Sequence, residues 1–342
     1  MTGYRVAVVG ATGAVGTVML RKLTERDFPA REIVPFASAR SAGRELEGFG
    51  TVQPLTEETL AGFDIAIFSA GATTSGEWAP RFVDAGAVVV DNSSKFRQRD
   101  DIPLVVAEVN PEALDGHAGI VANPNCSTMQ LVVALKPIFD HAGIERLIVS
   151  TYQCVSGTGQ KAVEELEAQT HALLHGMEPP APEVYPHPIA FNVLGGSGNF
   201  PPGDDNTDEE RKMMFETRKI LGDDSMGISV TCARVPVIHS HSESVNVQTR
   251  DPLSVQEARA LLEAMPGIEV VDDPANHGYP TARNGAGRDE VFVGRIRRDP
   301  SHERALNLWV VSDNLLKGAA TNAVQLAELL HARGLVRPAT RA

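Results

Sequence analysis

The feature that most constrains the fold is a valine-rich stretch followed directly by a glycine turn. Residues Tyr4–Val9 are typical of a buried parallel strand. Gly10, Gly13 and Gly16 follow at regular spacing and lead into an amphipathic stretch at Val18–Leu23. A strand, a glycine turn and a helix in this order predict a dinucleotide-binding unit, with the pyrophosphate on the helix N-terminus. The spacing is GxxGxxG rather than GxGxxG, so a glycine turn that merely packs is the alternative interpretation.

Strand and helix patterns alternate up to about residue 125. Further strands are predicted at Ile33–Ala37, Phe63–Ala70, Ala87–Asp91, Val105–Glu108 and Gly119–Ala122. Gly71–Ser75 is interpreted as a loop over a bound nucleotide. This alternation predicts an α/β fold with a doubly wound, Rossmann-like parallel sheet.

The segment after the second strand bears on the choice of cofactor. NAD enzymes usually place Asp or Glu here to bind the ribose 2′-hydroxyl. This chain instead has Arg40 between the hydroxyls of Ser38 and Ser41. A guanidinium suits a 2′-phosphate, so the sequence favours NADP over NAD. An exposed loop arginine is the alternative.

A cysteine lies where the segment Asn123–Thr128 opens into an apolar helical stretch, Met129–Phe139. The first N–H groups of that helix and its macrodipole favour a thiolate at Cys126, so the position suits a nucleophile. A small buried hydrophobic residue is the alternative interpretation. The other cysteines, Cys154 and Cys232, form no CxxC pair with it. This spacing fits neither a disulfide scaffold nor a zinc site, and it predicts a reducing cytoplasm.

Length and charge limit the class of protein. A chain of 342 residues exceeds one ordinary core, so two domains are predicted. The formal net charge of -13 argues against nucleic acid or an anionic membrane as a partner. We expect no targeting segment, and no apolar stretch is long enough for a membrane span. An anionic substrate would therefore need a local cluster of Arg and Lys.

From about Ile144 the pattern changes to strands with hairpin-like spacing, which predicts a second α+β domain with a mixed or antiparallel sheet. The predicted strands are Leu147–Gln153 with a small-residue loop to Gly157, Ile228–Ile238, Ser244–Thr249, Glu290–Arg297 and Leu306–Ser312. The predicted helices are Gln160–Leu174, Thr207–Ile220, Val255–Met265 and Asn314–Ala332. Residues 176–203 are predicted to be irregular, and the tail 333–342 to be frayed.

Several polar residues outside the nucleotide-binding part could carry chemistry. Gln153 ends a strand, while Glu209 and Lys212 lie one helical turn apart. Arg234 and His241 bracket the segment 235–240. Each has a purely structural alternative, a solvated ion pair or a structural histidine. His239 and His241 would face the same way on a strand and could pair on a metal, but no third ligand is evident, so no metal is predicted.

Together these motifs resemble the aspartate-semialdehyde dehydrogenase family, and the resemblance covers Val6 to Leu330. The motifs that carry it are Gly10–Gly16, Ser38–Gly43, Asn92–Arg97, Asn123–Thr128, Tyr152–Gly157, Glu209–Lys212, Arg234–Glu243 and Asp313–Gly318. The resemblance implies an NADP-binding domain at 1–125 and a catalytic and dimerisation domain at 126–313. It also implies a C-terminal helix within 314–342 that packs back on the nucleotide domain.

The resemblance further implies a role for each site residue. Cys126 is the nucleophile, His241 the general acid/base, and Gln153 orients the substrate. Arg234 binds the substrate carboxylate and Glu209 its ammonium group. Arg97 and Lys212 hold phosphate, and Asn125 also contacts the substrate. The residues implied to bind NADP(H) are Gly10, Thr12, Gly13, Ala14, Val15, Ser38, Arg40, Ser41, Ser156, Gly157 and Asn314.

The implied reaction is the reversible, NADPH-dependent conversion of L-aspartyl 4-phosphate to L-aspartate 4-semialdehyde through a Cys126 thioester, with inorganic phosphate as co-substrate. The pathways implied are the biosynthesis of lysine and diaminopimelate, methionine, threonine and isoleucine. A homodimer is expected, with a tetramer as the alternative. Two competing functions are a reductase of the N-acetylglutamyl-phosphate type and a catalytically silent homologue. The presence of Cys126 and His241 argues against the second. Cys154 is either a reactive bystander or a packed side chain.

Overall fold

The structure is a computed structural model that describes residues 3–336, and the chain divides into two compact units. The first unit comprises the residues up to 125 and those from 319 onwards, and the second comprises residues 126–318. Residues 314–318 therefore belong to the second unit, although the predicted boundary preceded them. Residues 337–342, which form most of the predicted frayed tail, lie outside the described residues.

The secondary structure follows the chain in this order. The strands are β1 (Tyr4–Val9), β2 (Ala30–Ala37), β3 (Glu45–Leu46), β4 (Gly50–Thr51), β5 (Gln53–Pro54), β6 (Ile65–Phe68), β7 (Val88–Asp91), β8 (Ile120–Ala122), β9 (Ile144–Gln153), β10 (Gly227–Arg234), β11 (His241–Thr249), β12 (Ile268–Val270), β13 (Val291–Arg298) and β14 (Ala305–Ser312). The helices are α1 (Ala14–Glu25), α2 (Gly71–Asp84), α3 (Cys126–Ala142), α4 (Gln160–Leu174), α5 (Asp208–Leu221), α6 (Val255–Ala264), α7 (Ala282–Gly285) and α8 (Thr321–Ala332).

The first unit is built on a parallel sheet with the strand order β5-β2-β1-β6-β7-β8. On one face, Val6 and Val8 share a core with Met19 of α1 and Val324 of α8. On the other face, the ring of Phe82 from α2 packs edge-on against those of strand residues such as Phe68. Helices on both faces bury both sides of the sheet, as a parallel sheet requires. The predicted doubly wound sheet and the C-terminal helix that packs on it are confirmed.

Two local predictions for this unit are wrong. Gly71–Ser75 is the first turn of α2 rather than a loop. In this turn the Ser75 hydroxyl donates to the carboxylate of buried Asp91 at 2.6 Å, and this bond anchors the start of the helix. Val105–Glu108 is not a strand, since the Asn110 side chain accepts from the N–H of Val106 at 2.9 Å and holds a turn.

The second unit contains a mixed sheet with the order β10-β9-β11-β14-β13-β12. The outer pairs β10–β9 and β12–β13 are parallel, and the pairs between them are antiparallel. One face is covered by α3, α5 and α6. The other face leaves the side chains of Ile148 and Tyr152 more than a third exposed. The predicted second, mixed sheet is confirmed.

Several elements from β9 onwards differ from prediction. The strand predicted at Ile228–Ile238 ends at Arg234, and His239 lies at an exposed bend. The predicted C-terminal helix begins as a π-helical turn at Leu316–Ala320 before α8 starts at Thr321. The edge strand β12 was not predicted. The helix predicted to start at Thr207 does so, with a capping box between Thr207 and Glu210.

Among the helices within residues 3–336, none is both long enough and apolar enough to cross a membrane.

A buried carboxyl group lies in the middle of the second sheet. Glu243 on β11 is fully buried, and neither of its oxygens has a hydrogen-bond partner among the described residues. Burial raises the pKa of Glu243 well above its ordinary range. The Gln130 amide opposes this only in part, because it does not reach hydrogen-bonding geometry with either oxygen. The folded chain therefore keeps the Glu243 proton to higher pH than the unfolded chain does.

This placement gives a testable dependence of stability on pH. Above the ordinary Glu range the folded chain retains a proton that the unfolded chain releases, so the free energy of unfolding falls as pH rises. Glu243→Gln removes that linkage. We expect the Tm of Glu243→Gln, relative to the unsubstituted protein, to rise by a few degrees between pH 5 and pH 8, since ~1 kcal/mol shifts Tm by about 2–4 °C in a large domain. If the Tm of the two proteins changed by the same amount between pH 5 and pH 8, this pH linkage through Glu243 would be contradicted.

Candidate functional site

The glycine turn of the first unit has little room for side chains. Gly10 has a φ of 88°, and a Cβ on it would lie 2.2 Å from the carbonyl oxygen of Ser69. A Cβ on Gly16 would lie 2.1 Å from the Gly10 carbonyl oxygen, so this glycine permits close packing of α1. Gly13 precedes α1 with no side-chain cap, and the first turn carries no acidic residue. The first N–H groups of α1 thus have neither a side-chain cap nor a repelling carboxylate.

Most other predicted nucleotide-binding residues of this unit surround the same turn. Thr12, Ala14 and Val15 belong to the turn or to the start of α1 and are at least partly exposed. Ser38 and Ser41 form a turn directly after β2, in which the Ser41 N–H donates to the Ser38 carbonyl at 2.8 Å. The same strand end accepts from the glycine turn, since the Gly10 N–H donates to the Phe36 carbonyl at 2.8 Å. Arg40 is exposed in the Ser38–Ser41 turn.

Two predicted substrate-binding residues also lie in the first unit. Arg97 is 7% exposed, and its Nη2 donates to the carbonyl oxygen of Asn92 at 2.8 Å, which holds the guanidinium beside the end of β7. Asn125 is equally buried and immediately precedes Cys126 in the chain.

In the second unit, α3 and β11 bring the predicted nucleophile and imidazole together. Cys126 is the first residue of α3 and His241 the first of β11. The Sγ atom of Cys126 lies 3.2 Å from Nε2 of His241. This is hydrogen-bonding distance for a sulfur partner, and the thiol lies at the helix N-terminus, which favours its thiolate form.

The second ring nitrogen of His241 fixes its protonation. Nδ1 lies 3.0 Å from the backbone nitrogen of Cys154, whose N–H can only donate. Nδ1 therefore accepts, and the single proton of a neutral imidazole lies on Nε2, directed at Cys126. Burial, and after it the positive charge of Arg234, lowers the pKa of His241 to about 3. The ring is therefore neutral and a hydrogen-bond donor at neutral pH.

Two glycines leave space for these reactive groups. A Cβ on Gly157 would lie 3.2 Å from Cε1 of His241 and 3.5 Å from Nη1 of Arg234. A Cβ on Gly318 would lie 2.9 Å from the Cβ of Cys126. Gly157 was predicted to contact the cofactor, and the structure gives it this packing role as well. The Gly318 contact was not predicted, because nothing in the sequence signals it.

Gln153 is held by three side chains. Its Nε2 donates to the Ser127 hydroxyl at 3.0 Å and to Oε1 of Glu209 at 3.1 Å. Its Oε1 accepts from the Ser197 hydroxyl at 2.9 Å. Gln153 is 1% exposed, so these bonds fix its amide in one orientation. Ser127 and Ser197 were not assigned to the site from the sequence.

Arg234 and Glu209 line a cavity of about 820 Å³ in the second unit. Arg234 donates from Nη1 to the Cys154 carbonyl and from Nη2 to the Ser197 hydroxyl, both at 2.6 Å. Its Nε is buried and has no hydrogen-bond partner in the described part of the chain. Oε2 of Glu209 lies 3.4 Å from the Lys212 ammonium, so the predicted pair on one helix face does form. The cavity thus offers a guanidinium and a carboxylate to a ligand.

Asn314 and Ser156 form a small buried cluster beside His241. Asn314 Oδ1 accepts from the N–H of Ser240 at 3.1 Å, and Nδ2 donates to the Ser156 hydroxyl at 3.0 Å. Ser240 has a φ of 71°, which reverses the chain just before His241. Both residues were predicted to contact the cofactor. Within this unit their hydrogen bonds fix the backbone just before β11.

Two alternatives raised by the sequence do not fit the structure. His239 and His241 do not share a strand, because the reversal at Ser240 leaves His239 exposed and His241 buried. Within residues 3–336 no group of three or more His, Cys, Asp or Glu side chains could hold a metal ion. Burial raises the pKa of the Cys154 thiol to about 11, which favours the packed over the reactive interpretation of that residue.

Comparison with known proteins places the chain in one family. The family model of the semialdehyde dehydrogenase NAD binding domain matches residues 5–117, and that of the semialdehyde dehydrogenase dimerisation domain matches residues 135–317. An aspartate-semialdehyde dehydrogenase from Aquifex aeolicus is 54% identical over 340 residues, covering 98% of this chain and 100% of the relative.

Solved structures agree with these matches. Aspartate semialdehyde dehydrogenase II from Vibrio cholerae, complexed with ASA, has a TM-score of 0.92 at 47% identity, covering 97% of this chain and 99% of that one. Aspartate semialdehyde dehydrogenase from Candida albicans, with NADP, has a TM-score of 0.76 at 26% identity, covering 98% and 100%. With its two matched domains and a close relative over nearly its full length, the chain belongs to the aspartate-semialdehyde dehydrogenase family.

Proposed function

We propose that this protein catalyses the reversible, NADPH-dependent reductive dephosphorylation of L-aspartyl 4-phosphate to L-aspartate 4-semialdehyde. The observation that carries the proposal is the 3.2 Å contact between the Cys126 thiol at the start of α3 and His241 Nε2. The same unit holds Arg234 and Glu209 in one cavity, opposite charges that suit the carboxylate and ammonium of an amino acid. The Vibrio cholerae relative complexed with ASA supports this substrate.

Cys126 would act as the nucleophile. Its thiolate adds to the carbonyl carbon of the acyl phosphate and forms a C–S bond. The C–O bond to phosphate then breaks, inorganic phosphate leaves, and a thioester remains. This covalent step keeps the acyl group activated and fixed to the protein, since a thioester carbonyl accepts hydride readily whereas a carboxylate does not. After reduction the C–S bond breaks, the thiolate is restored and the aldehyde leaves; the reverse direction consumes inorganic phosphate.

His241 would act through the proton on Nε2. In the tautomer set by the Cys154 N–H, the ring donates a hydrogen bond toward Sγ of Cys126. A donor at this position stabilises the thiolate and any negative charge that develops on the carbonyl oxygen beside it. Of the expected general acid/base role, we therefore propose the part of the proton donor. Nε2 already carries a proton when the reaction begins, so it does not act first as a base.

The remaining predicted substrate residues divide by charge. Arg234 offers its remaining guanidinium N–H groups to the substrate carboxylate, and Glu209 its carboxylate to the ammonium group. Gln153, fixed on both sides of its amide, orients the reacting carbonyl group. We assign phosphate binding to Arg97 and Lys212, and a further substrate contact to Asn125.

The residues of the first unit fit a nicotinamide dinucleotide. Gly10 and Gly16 of the turn approach their neighbours too closely for a Cβ, and the uncapped start of α1 suits a pyrophosphate. Arg40, with Ser38 and Ser41, would hold a 2′-phosphate, which favours NADP; the Candida albicans relative solved with NADP supports this. Ser156, Gly157 and Asn314 would complete the binding site. When bound, the cofactor supplies the hydride.

The open face of the second sheet would form a homodimer interface, with a tetramer as the alternative assembly. The rings of Tyr152 and Trp309 pack there with centroids 5.5 Å apart, and Ile148 on the same face is exposed. Exposed aromatic and aliphatic side chains on one sheet face often mark a protein contact. The match to a dimerisation domain over residues 135–317 supports the proposal.

The activity would supply the biosynthesis of lysine and diaminopimelate, methionine, threonine and isoleucine in the cytoplasm.

The activity is tested by phosphate-dependent reduction of NADP with aspartate semialdehyde. We expect turnover with this aldehyde, little with N-acetylglutamate semialdehyde, and a loss of more than about 10³-fold in kcat for Cys126→Ser, because a hydroxyl is a far weaker nucleophile. Cys232→Ala removes a buried thiol outside the site and serves as the control. Preference for the acetylated aldehyde would overturn the substrate assignment. Turnover by Cys126→Ser close to that of the unsubstituted protein would overturn the assignment of Cys126 as the nucleophile.

Cofactor preference is tested at Arg40. Arg40→Glu replaces a cation by an anion at the proposed 2′-phosphate site, so the ratio of kcat/KM for NADPH over NADH should fall by tenfold or more, roughly the worth of one charge-assisted hydrogen bond. Arg44→Glu makes the same charge change in the same exposed segment and should leave the ratio nearly unaltered. Equal effects of the two substitutions would refute a specific role for Arg40.

Assembly is tested by light scattering after size exclusion. Ile148→Asp places a charge on the apolar open face and should lower the molar mass from two chains to one, because a buried unpaired carboxylate weakens the interface. Glu47→Arg, on an exposed turn of the first unit, should leave the mass unchanged. A single-chain mass for the unsubstituted protein, or a two-chain mass for Ile148→Asp, would count against the interface.

A further inference from the structure

Ser197 lies in a glycine-rich loop, Gly195–Gly198, that the second unit holds firmly at both ends. Before the loop, Leu194 and Arg234 exchange both backbone hydrogen bonds, at 2.9 and 2.8 Å. After it, the N–H of Asn199 donates to Oδ1 of Asp208 at 3.0 Å, and the Asp208 N–H donates back to the Asn199 carbonyl at 2.8 Å. The loop is thus fixed between the end of β10 and the start of α5.

The Ser197 hydroxyl is hydrogen-bonded to both Arg234 and Gln153, the two residues that would bind and orient the substrate. It is 2% exposed, accepts from Nη2 of Arg234 at 2.6 Å and lies 2.9 Å from Oε1 of Gln153. A guanidinium has no acceptor, so the serine oxygen must accept from Arg234. The one hydroxyl hydrogen is then free for Gln153, and the atom of Gln153 that receives it must be its oxygen.

This ordering sets the direction of the whole chain of hydrogen bonds. With its oxygen facing Ser197, Gln153 must turn its NH₂ group toward Ser127 and Glu209, as the distances of 3.0 and 3.1 Å require. At the other end, Ser197 and the Cys154 carbonyl hold Arg234 at Nη2 and Nη1. Nη1 and Nη2 each keep a second N–H, and Nε has no hydrogen-bond partner among the described residues.

We infer that Ser197 is a positioning residue that sets specificity for the substrate carboxylate by aligning Arg234 and orienting the Gln153 amide. The inference rests on the proposed function, since it assumes that Arg234 binds that carboxylate. Without the hydroxyl, the guanidinium loses one of its two hydrogen-bonded anchors and the Gln153 amide oxygen loses its donor, so that only the NH₂ side of the amide stays held, by Ser127 and Glu209. Arg234 and Gln153 are both nearly fully buried, so water does not replace the lost bonds readily.

Ser197→Ala tests this with two aldehydes, aspartate semialdehyde and 3-aminopropanal, which keeps the amine and lacks the carboxylate. We expect the KM for aspartate semialdehyde to rise about tenfold, roughly the cost of one lost charge-assisted hydrogen bond, with the KM for NADP unchanged. The preference for aspartate semialdehyde over 3-aminopropanal should fall by a similar factor. Ser301→Ala, which removes an exposed hydroxyl from a turn of the same unit, is the control.

A double variant separates a positioning role from a purely structural one. Because Ser197 acts through Arg234, its removal from an Arg234→Lys protein should change the KM for aspartate semialdehyde by less than twofold. Equal losses on both aldehydes, or full additivity with Arg234→Lys, would show a purely structural role and overturn the inference. If the unsubstituted protein fails to oxidise aspartate semialdehyde, it is the proposed function that fails.

Discussion

The hydrogen bond from the Cys154 N–H to Nδ1 of His241 is the interaction on which the chemistry of this site depends. A neutral imidazole has one proton, and this contact assigns it to Nε2, which faces Cys126. A backbone donor is better suited to this task than a side chain, because it neither titrates nor rotates. It is provided by the chain just after β9, the central partner of β10 and β11 in the sheet. The sheet register thereby determines the tautomer.

The polar groups around this bond are buried in an unusually connected arrangement. Gln153, Glu209, Ser197 and Arg234 form one chain of hydrogen bonds, and Asn314 ties Ser156 to the backbone before His241. Buried polar side chains cost free energy unless their partners are present, so each member constrains the next. The same sheet also carries Glu243, whose pKa burial raises well above its ordinary range because no such partner reaches it.

Sequence patterns were informative where one local rule decides the structure. Buried valine runs predicted β1 and β7, and Thr207 with Glu210 predicted the start of α5, because strand periodicity and capping are local properties. Gly71–Ser75 was misassigned because small polar residues are compatible with both a loop and a helix start. The chemical types at the site could be read from spacing and resemblance, but their partners could not.

The contacts that were missed share one property: they join residues distant in the chain. Ser197 lies in a segment that reads only as irregular, and its importance depends on Arg234 and Gln153 being brought to it by two strands. The close approach of Gly318 to Cys126 likewise joins opposite ends of the second unit's sequence. The His239 alternative failed for a related reason, since the left-handed conformation of Ser240 is not encoded by serine itself.

The charge of Arg234 bears on the state of His241, and through the proposed role of Arg234 it would link substrate binding to that state. The partners of Arg234 are a carbonyl and a hydroxyl, so within this contact shell no carboxylate compensates its charge. That charge is one of the two causes that lower the pKa of His241, after burial. An anion bound to this guanidinium would offset much of that charge and so raise the proton affinity of the imidazole. Binding of the carboxylate would therefore tune the ring that faces Cys126, which couples recognition of the substrate to the chemistry at the sulfur.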